Sequence, residues 1–137
     1  MSIITYNKFL DLFIFSIVGT LGFIVDAGIL YALKDSIGLY FAKLFSFFCA
    51  VIVTWLLNRF LTFKRRPSGM TLSSEFARYF SLMIFGGIIN YLSFWISTSL
   101  STIIYDYPII GVAIGSFAGL IFNYISTKKF IFKNSIF

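Results

Sequence analysis

The sequence predicts an all-α membrane protein of four transmembrane helices, built as two helical hairpins in parallel repeat. Three observations carry that prediction. Hydrophobic residues fill 59% of the 137 positions and charged residues only 12%, with a mean hydropathy of +0.94. A soluble domain of this length needs far more charge to cover its surface, so lipid is the expected solvent. Four stretches are long enough to cross roughly 30 Å of hydrocarbon as helices. Finally, residues 42–58 superimpose on residues 111–127 after a shift of 69 positions.

The first expected span, residues 9–33, carries Asp11 near its start and Asp26 inside its apolar body. It is too long for a signal peptide and lacks a small-residue cleavage site. A short connection, residues 34–38, leads to the second span at 41–61, which carries Lys43 near its start. Residues 64–75 contain Pro67, Gly69 and several serines and read as a surface loop between the halves. Residues 73–80 read as an interfacial turn leading into the third span at 77–100, and residues 101–106 connect it to the fourth at 107–126. The third and fourth spans have no charge in their apolar interiors. The whole chain, 1–137, is expected to be one domain, with a first repeat at about 9–64 and a second at about 76–133.

The repeat is written most clearly in the second and fourth spans. Ala42 falls on Gly111, Ser46 on Gly115, Ala50 on Gly119, Thr54 on Asn123 and Asn58 on Thr127. Beyond the stripe, Arg59 falls on Lys128, Phe63 on Phe132 and Lys64 on Lys133. Small or small-polar residues at every fourth position draw a narrow stripe along one helix face, where backbones can approach closely. The second and fourth helices are therefore expected to touch through these stripes. The first and third spans align in two ways. A shift of 67 places Gly19 on Gly86; a shift of 64 places Gly22 on Gly86 and Asp26 on Asn90.

Positive charge orients the chain. With four spans, Lys8, Arg59, Lys64, Arg65, Arg66, Arg78, Lys128, Lys129 and Lys133 fall on one side, and only Lys34 and Lys43 on the other. Both termini are expected in the cytoplasm, and the two hairpins point the same way, as a parallel repeat related by an axis along the membrane normal. The net charge of +6 is thus read as a topology signal, and no nucleic-acid partner is expected.

The chain contains no histidine and one cysteine, Cys49. That excludes an intrachain disulfide and argues against a zinc or redox site. No nucleophile–base pair, paired carboxylates or phosphate-cradling glycine loop is present, so neither an enzyme nor a bound cofactor is expected.

The candidate functional residues are polar groups in or beside apolar helices. Asp26 in the body of a span costs roughly 2.5–3.5 kcal/mol on insertion scales and is expected to face the bundle or a wet cavity. It reads either as an ion or proton relay, or as a structural ion-pair partner. Lys43 reads as a snorkelling side chain, as a phosphate-binding cation, or as the partner of Asp26. It breaks the repeat, because its counterpart is Val112. Arg59, with its planar donor fork, and Lys128 suit either phosphate binding or anchoring at anionic headgroups. Asn58, Asn90 and Asn123 are amides expected to hydrogen-bond within the bundle.

Several segments resemble the GtrA-like family over roughly residues 9–133. They are FSIVGTLGFIVD at 15–26, LLNRFLTFK at 56–64, FARYF at 76–80 and NYISTKKFIF at 123–132. The Asn-Arg…Thr-Phe element combined with four spans is its most specific part. The resemblance implies a small inner-membrane protein of cell-surface polysaccharide synthesis. It implies flipping of a polyprenyl-phosphate-linked monosaccharide, such as undecaprenyl-phosphate glucose, from the cytoplasmic to the outer leaflet. A membrane glycosyltransferase that makes the lipid-linked sugar, the surrounding membrane lipids and a second copy of the chain are the partners expected. The sequence departs from the family pattern at Thr54, where Asn is common, and at Lys128-Lys129, where Arg is common.

Two other readings stand beside this one. A small multidrug-type exporter also has four helices and an acidic residue in the first. Such exporters typically form antiparallel dimers with weak charge bias, unlike this strongly biased chain. A membrane anchor that recruits a glycosyltransferase would use the glycine stripe as its interface.

Overall fold

The computed structural model describes the backbone of residues 2–62 and 69–130, and the side chains of residues 9, 10, 13–61 and 69–123. The regular structure within these residues is entirely helical. Helix α1 (Ser2–Ile37) is followed by α2 (Leu39–Leu57), which runs on into a π-helical turn at Asn58–Thr62. Helix α3 spans Leu72–Leu100, α4 is a short helix at Thr102–Asp106, and α5 covers Pro108–Phe130. Three segments, Phe13–Ile37, Leu39–Leu61 and Leu72–Leu100, are long and apolar enough to cross a membrane, and Pro108–Asn123 is a shorter apolar helix.

Local chemistry sets the element boundaries. Helices α1 and α2 are separated only by Gly38, whose φ of +86° lies in the left-handed region that glycine occupies without a Cβ penalty. Its N–H still closes onto the Lys34 carbonyl at 3.1 Å. The expected five-residue connection therefore shrinks to one residue, because nothing from Lys34 to Ile37 breaks a helix. The expected interfacial turn at 73–80 is instead part of the unbroken α3. Thr71 caps that helix, its Oγ1 accepting from the Ser74 N–H at 3.4 Å, with Glu75 in the first turn where the helix dipole favours an acid. Ser101 caps α4 in the same way. Pro108 opens α5, where its missing N–H is no loss, and the Tyr31 hydroxyl of α1 accepts from the nearby Ile109 N–H at 3.1 Å.

Packing pairs the helices as α1 with α2 and α3 with α5, and the pairs meet more sparingly through α2–α3 and α1–α5. Helices α2 and α5 do not approach each other closely. The expected stripe-to-stripe contact between them is therefore replaced by contact inside each pair. A Cβ on Gly115 would lie 2.5 Å from the Asn90 carbonyl oxygen, and one on Gly119 2.9 Å from the Gly86 carbonyl oxygen. Each stripe thus receives the helix before it, because a polar or bulky residue on that helix seats against a small one.

The two pairs repeat these contacts in the register of 64. A Cβ on Gly22 would meet Thr54, and one on Gly86 would overlap the Asn123 amide. Asp26 bonds Ser46, and Asn90 rests against Gly115. In the register of 67, Gly19 would take the place of Gly86, yet a Cβ there meets nothing within 4 Å.

Along its length the four-helix unit divides into a dry half and a polar half. Near the end where α1 turns into α2, Ala27, Leu30, Ala42, Phe94 and Val112 form a buried apolar cluster, with Phe23, Leu33, Leu39 and Tyr40 packed on it. Most of the buried polar residues gather toward the other half, while Thr98, beside Gly111, bonds carbonyls of its own helix. Large apolar side chains such as Phe41, Phe85 and Phe117 lie exposed on the outside, where a bilayer would cover them.

The glycine contacts give a direct check. Gly115→Ala places a methyl against backbone, which cannot yield as a side chain can, and should lower stability by about 1–3 kcal/mol. Gly28→Ala, where a Cβ meets nothing within 4 Å, should be neutral or slightly stabilising. Thermal unfolding of the two variants in detergent should separate them; equal melting would contradict this packing.

Candidate functional site

A cavity of about 130 Å³ lies in the polar half and is lined from all four long helices. Small residues, among them Gly22, Ala50, Gly86 and Gly119, line it beside the polar ones. Asp26, Thr54, Asn58, Tyr79, Asn90, Ser116 and Asn123 supply its polar wall, and Phe15, Phe23 and Phe47 its apolar one.

Its inner end is closed by a buried ion pair. Asp26 of α1 pairs with Lys43 of α2, and these residues are 2% and 0% exposed. The Ser46 hydroxyl, one turn beyond Lys43, donates to the other carboxylate oxygen at 2.6 Å. The Lys43 ammonium also lies 5.4 Å from the Phe94 ring centre and 5.9 Å from that of Phe47, within cation–π range. Lys43 therefore does not snorkel to the surface, and of the readings open to it the structure selects the partner of Asp26. A carboxylate already inside hydrocarbon draws the amine inward, because each charge is far costlier alone than paired.

A hydroxyl relay ties the end of α2 to α3. The Asn58 amide donates to the Tyr79 hydroxyl at 3.2 Å. Tyr79 in turn donates to Thr54 at 3.2 Å, and Thr54 to the Val51 carbonyl at 3.0 Å. Asn90 and Asn123 seat against glycines of the facing helix. Neither of their amide oxygens has a hydrogen-bond partner among the described residues.

Arg59 follows the cavity-lining Asn58 in the π-helical turn, a distortion that often marks functional positions. It pairs with Glu75 in the first turn of α3, and both side chains are only partly exposed. Lys128 lies on the backbone of α5, with its side chain outside the described residues. Lys8, Lys64, Arg65, Arg66, Lys129 and Lys133 also lie outside the described side chains.

The structure thus brings Asp26, Asn58, Asn90 and Asn123 to one cavity, places Lys43 behind its inner wall and Arg59 beside its other end. Sequence reasoning did not single out Ser46, Thr54, Tyr79 or Glu75. Ser46 and Thr54 were visible as the hydroxyl members of a stripe otherwise read as packing. Glu75 stood as the lone acid beside a basic run, and Tyr79 as the one hydroxyl in FARYF.

The family profile described as GtrA/DPMS, transmembrane domain, matches residues 14–132. No curated protein and no solved structure matches the chain.

The ion pair makes a testable energetic statement. Asp26→Leu alone strands a buried ammonium and should cost about 3–5 kcal/mol, whereas Asp26→Leu with Lys43→Met removes both charges and should recover most of that loss. Detergent melting curves of the single and double variants check this; a double variant as unstable as the single one would contradict the pairing.

Proposed function

The chain belongs to the GtrA/DPMS transmembrane-domain family, a membrane family of lipid-linked sugar pathways, and on that premise we propose that it flips a polyprenyl-phosphate-linked monosaccharide across the cytoplasmic membrane for cell-surface glycan modification. The observation that carries this reading is a polar cavity walled by four apolar helices. A flippase has to move a sugar and one phosphodiester charge through hydrocarbon while the isoprenoid tail stays in lipid. The cavity is smaller than the roughly 300–1,000 Å³ that encloses drug-sized ligands, which suits one headgroup and leaves the tail outside.

Arg59 engages the phosphate at headgroup depth. Its guanidinium carries five N–H donors in a fixed fork, and the pair with Glu75 leaves donors for a second anion. Asp26 and Lys43 separate the cavity from the dry half of the bundle, so passage to the far side goes through their pair. Lys128, at the matching position of the second repeat, adds cationic charge at the same membrane surface. A membrane glycosyltransferase supplies the lipid-linked sugar, and a second copy of the chain widens the pathway.

The same reading places both termini in the cytoplasm and relates the two hairpins by an axis along the membrane normal. The basic residues gathered at one end and the contacts that recur between the hairpins support it. Helix α5, with 23 residues at 1.5 Å each, rises about 34 Å, enough for roughly 30 Å of hydrocarbon.

Purified protein in liposomes should move labelled undecaprenyl-phosphate glucose between leaflets. Arg59→Lys keeps the charge and loses the fork, and should slow movement by about tenfold or more, an energy near 1.4 kcal/mol. Absence of movement by the intact protein would leave recruitment of a glycosyltransferase as the better reading. In a Cys49→Ala background, Ser36→Cys and Ser73→Cys should react with an impermeant thiol reagent from opposite sides of the membrane. Labelling of both from one side would overturn the topology.

A further inference from the structure

We infer that the cavity binds the sugar and not the phosphate, and that it selects an uncharged, hydroxyl-rich ring over an anionic one. This deepens the sugar-lipid reading above and rests on it. Among the described residues no arginine or lysine lines the cavity. Lys43 sits behind Asp26 with its ammonium committed to that carboxylate, and Arg59 lies beyond Asn58 with Glu75.

The groups that do line the cavity are hydroxyls, amides and one carboxylate. The Asn90 and Asn123 side chains line the cavity, with their amide oxygens set against Gly115 and Gly86. Sugar hydroxyls are donors and acceptors at once, so they can serve the Thr54, Tyr79 and Ser116 hydroxyls and the amides of this wall, and the remaining lone pairs of the Asp26 carboxylate. The phenylalanines that line it, Phe15, Phe23 and Phe47, offer apolar surface to the C–H groups of a pyranose.

An anion meets the reverse conditions. A phosphate or a uronic-acid carboxylate entering the cavity would be buried beside Asp26 with no lining cation among the described residues, and an unpaired buried charge is strongly disfavoured. The headgroup therefore enters sugar first, and the phosphate remains at the Arg59 end. The wall of hydroxyls and amides reads hydroxyls, and among the described residues it holds no cation free to compensate an added negative charge.

The test compares two probes, undecaprenyl-phosphate glucose and undecaprenyl-phosphate glucuronate, which differ by one carboxylate. Binding to the purified full chain is measured by ligand-dependent thermal shift in detergent, and movement is measured in liposomes. The glucuronate lipid should bind more weakly by about tenfold or more. Ser116→Lys, or Met83→Lys should the first fail to fold, introduces a cation into the wall and should narrow that ratio. Equal affinity of the intact protein for the two lipids, or an unchanged ratio in a folded lysine variant, would overturn the inference. Preference for the glucose lipid without movement in liposomes would support this inference while overturning translocation. Movement of both lipids at equal rates, with equal affinity, would do the opposite.

Discussion

The Asp26–Lys43 pair is the constraint around which the bundle is arranged. Two charges at 2% and 0% exposure, in a chain whose surroundings are largely apolar, persist only if each satisfies the other and both find further partners. Ser46 supplies one of these partners from the stripe, and the rings of Phe47 and Phe94 supply the rest. Because Phe94 belongs to α3 and to the apolar cluster, the pair joins the two hairpins as well as α1 and α2. It also marks the boundary between the two halves of the molecule, with hydrocarbon-like packing on one side and a polar chamber on the other. Removing one charge would therefore disturb a helix pair, a hairpin–hairpin contact and the cavity wall together.

One hairpin carries a buried ion pair, and the positions of the other that align with it hold no charge. In the register of 64 and 69, Asp26, Ser46 and Lys43 correspond to Asn90, Gly115 and Val112. The same seat is occupied in both halves, first by a carboxylate against a hydroxyl and then by an amide against a glycine. Once the hydroxyl becomes a glycine and the lysine a valine, a carboxylate at position 90 would have no partner, and the neutral amide is its isosteric replacement. The second hairpin thus contributes acceptors without charge to a chamber whose first hairpin contributes a neutralised ion pair.

Much of this was legible in the sequence for physical reasons. Four apolar stretches, the stripe of small residues and the clustering of basic residues survive in a single sequence because length, four-residue spacing and charge sign are properties of the residues themselves. What the stripe faced was not legible. Spacing locates a face on a helix without naming its neighbour, so contact between α2 and α5 was expected where contact within each hairpin occurs. Lys43 had several readings because its long stem reaches either toward water or toward a buried acid, and only the position of Asp26 on the adjacent helix decides. The choice between shifts of 64 and 67 needed the contacts of Gly19 and Gly22, which the sequence presents as equivalent glycines. The continuous start of α3 was hidden because serines and a threonine read equally as loop residues and as a helix cap.

The close seating of backbones inside each hairpin has a mechanical consequence. Gly22 against Thr54, Gly86 against Asn123 and Gly115 against Asn90 leave no free distance through which helices of one pair could part, and Gly38 joins α1 to α2 with no slack. The thinner seams run between the pairs, along α2–α3 and α1–α5. Each hairpin is accordingly a stiff unit, and relative movement of the two pairs would have to part these seams before it parted helices within a pair. The Tyr31 hydroxyl on the Ile109 N–H, Lys43 over Phe94, Tyr79 between Asn58 and Thr54 and Arg59 on Glu75 are the polar ties across those seams, so what holds the two stiff pairs together is a set of separate side-chain contacts and not close backbone seating.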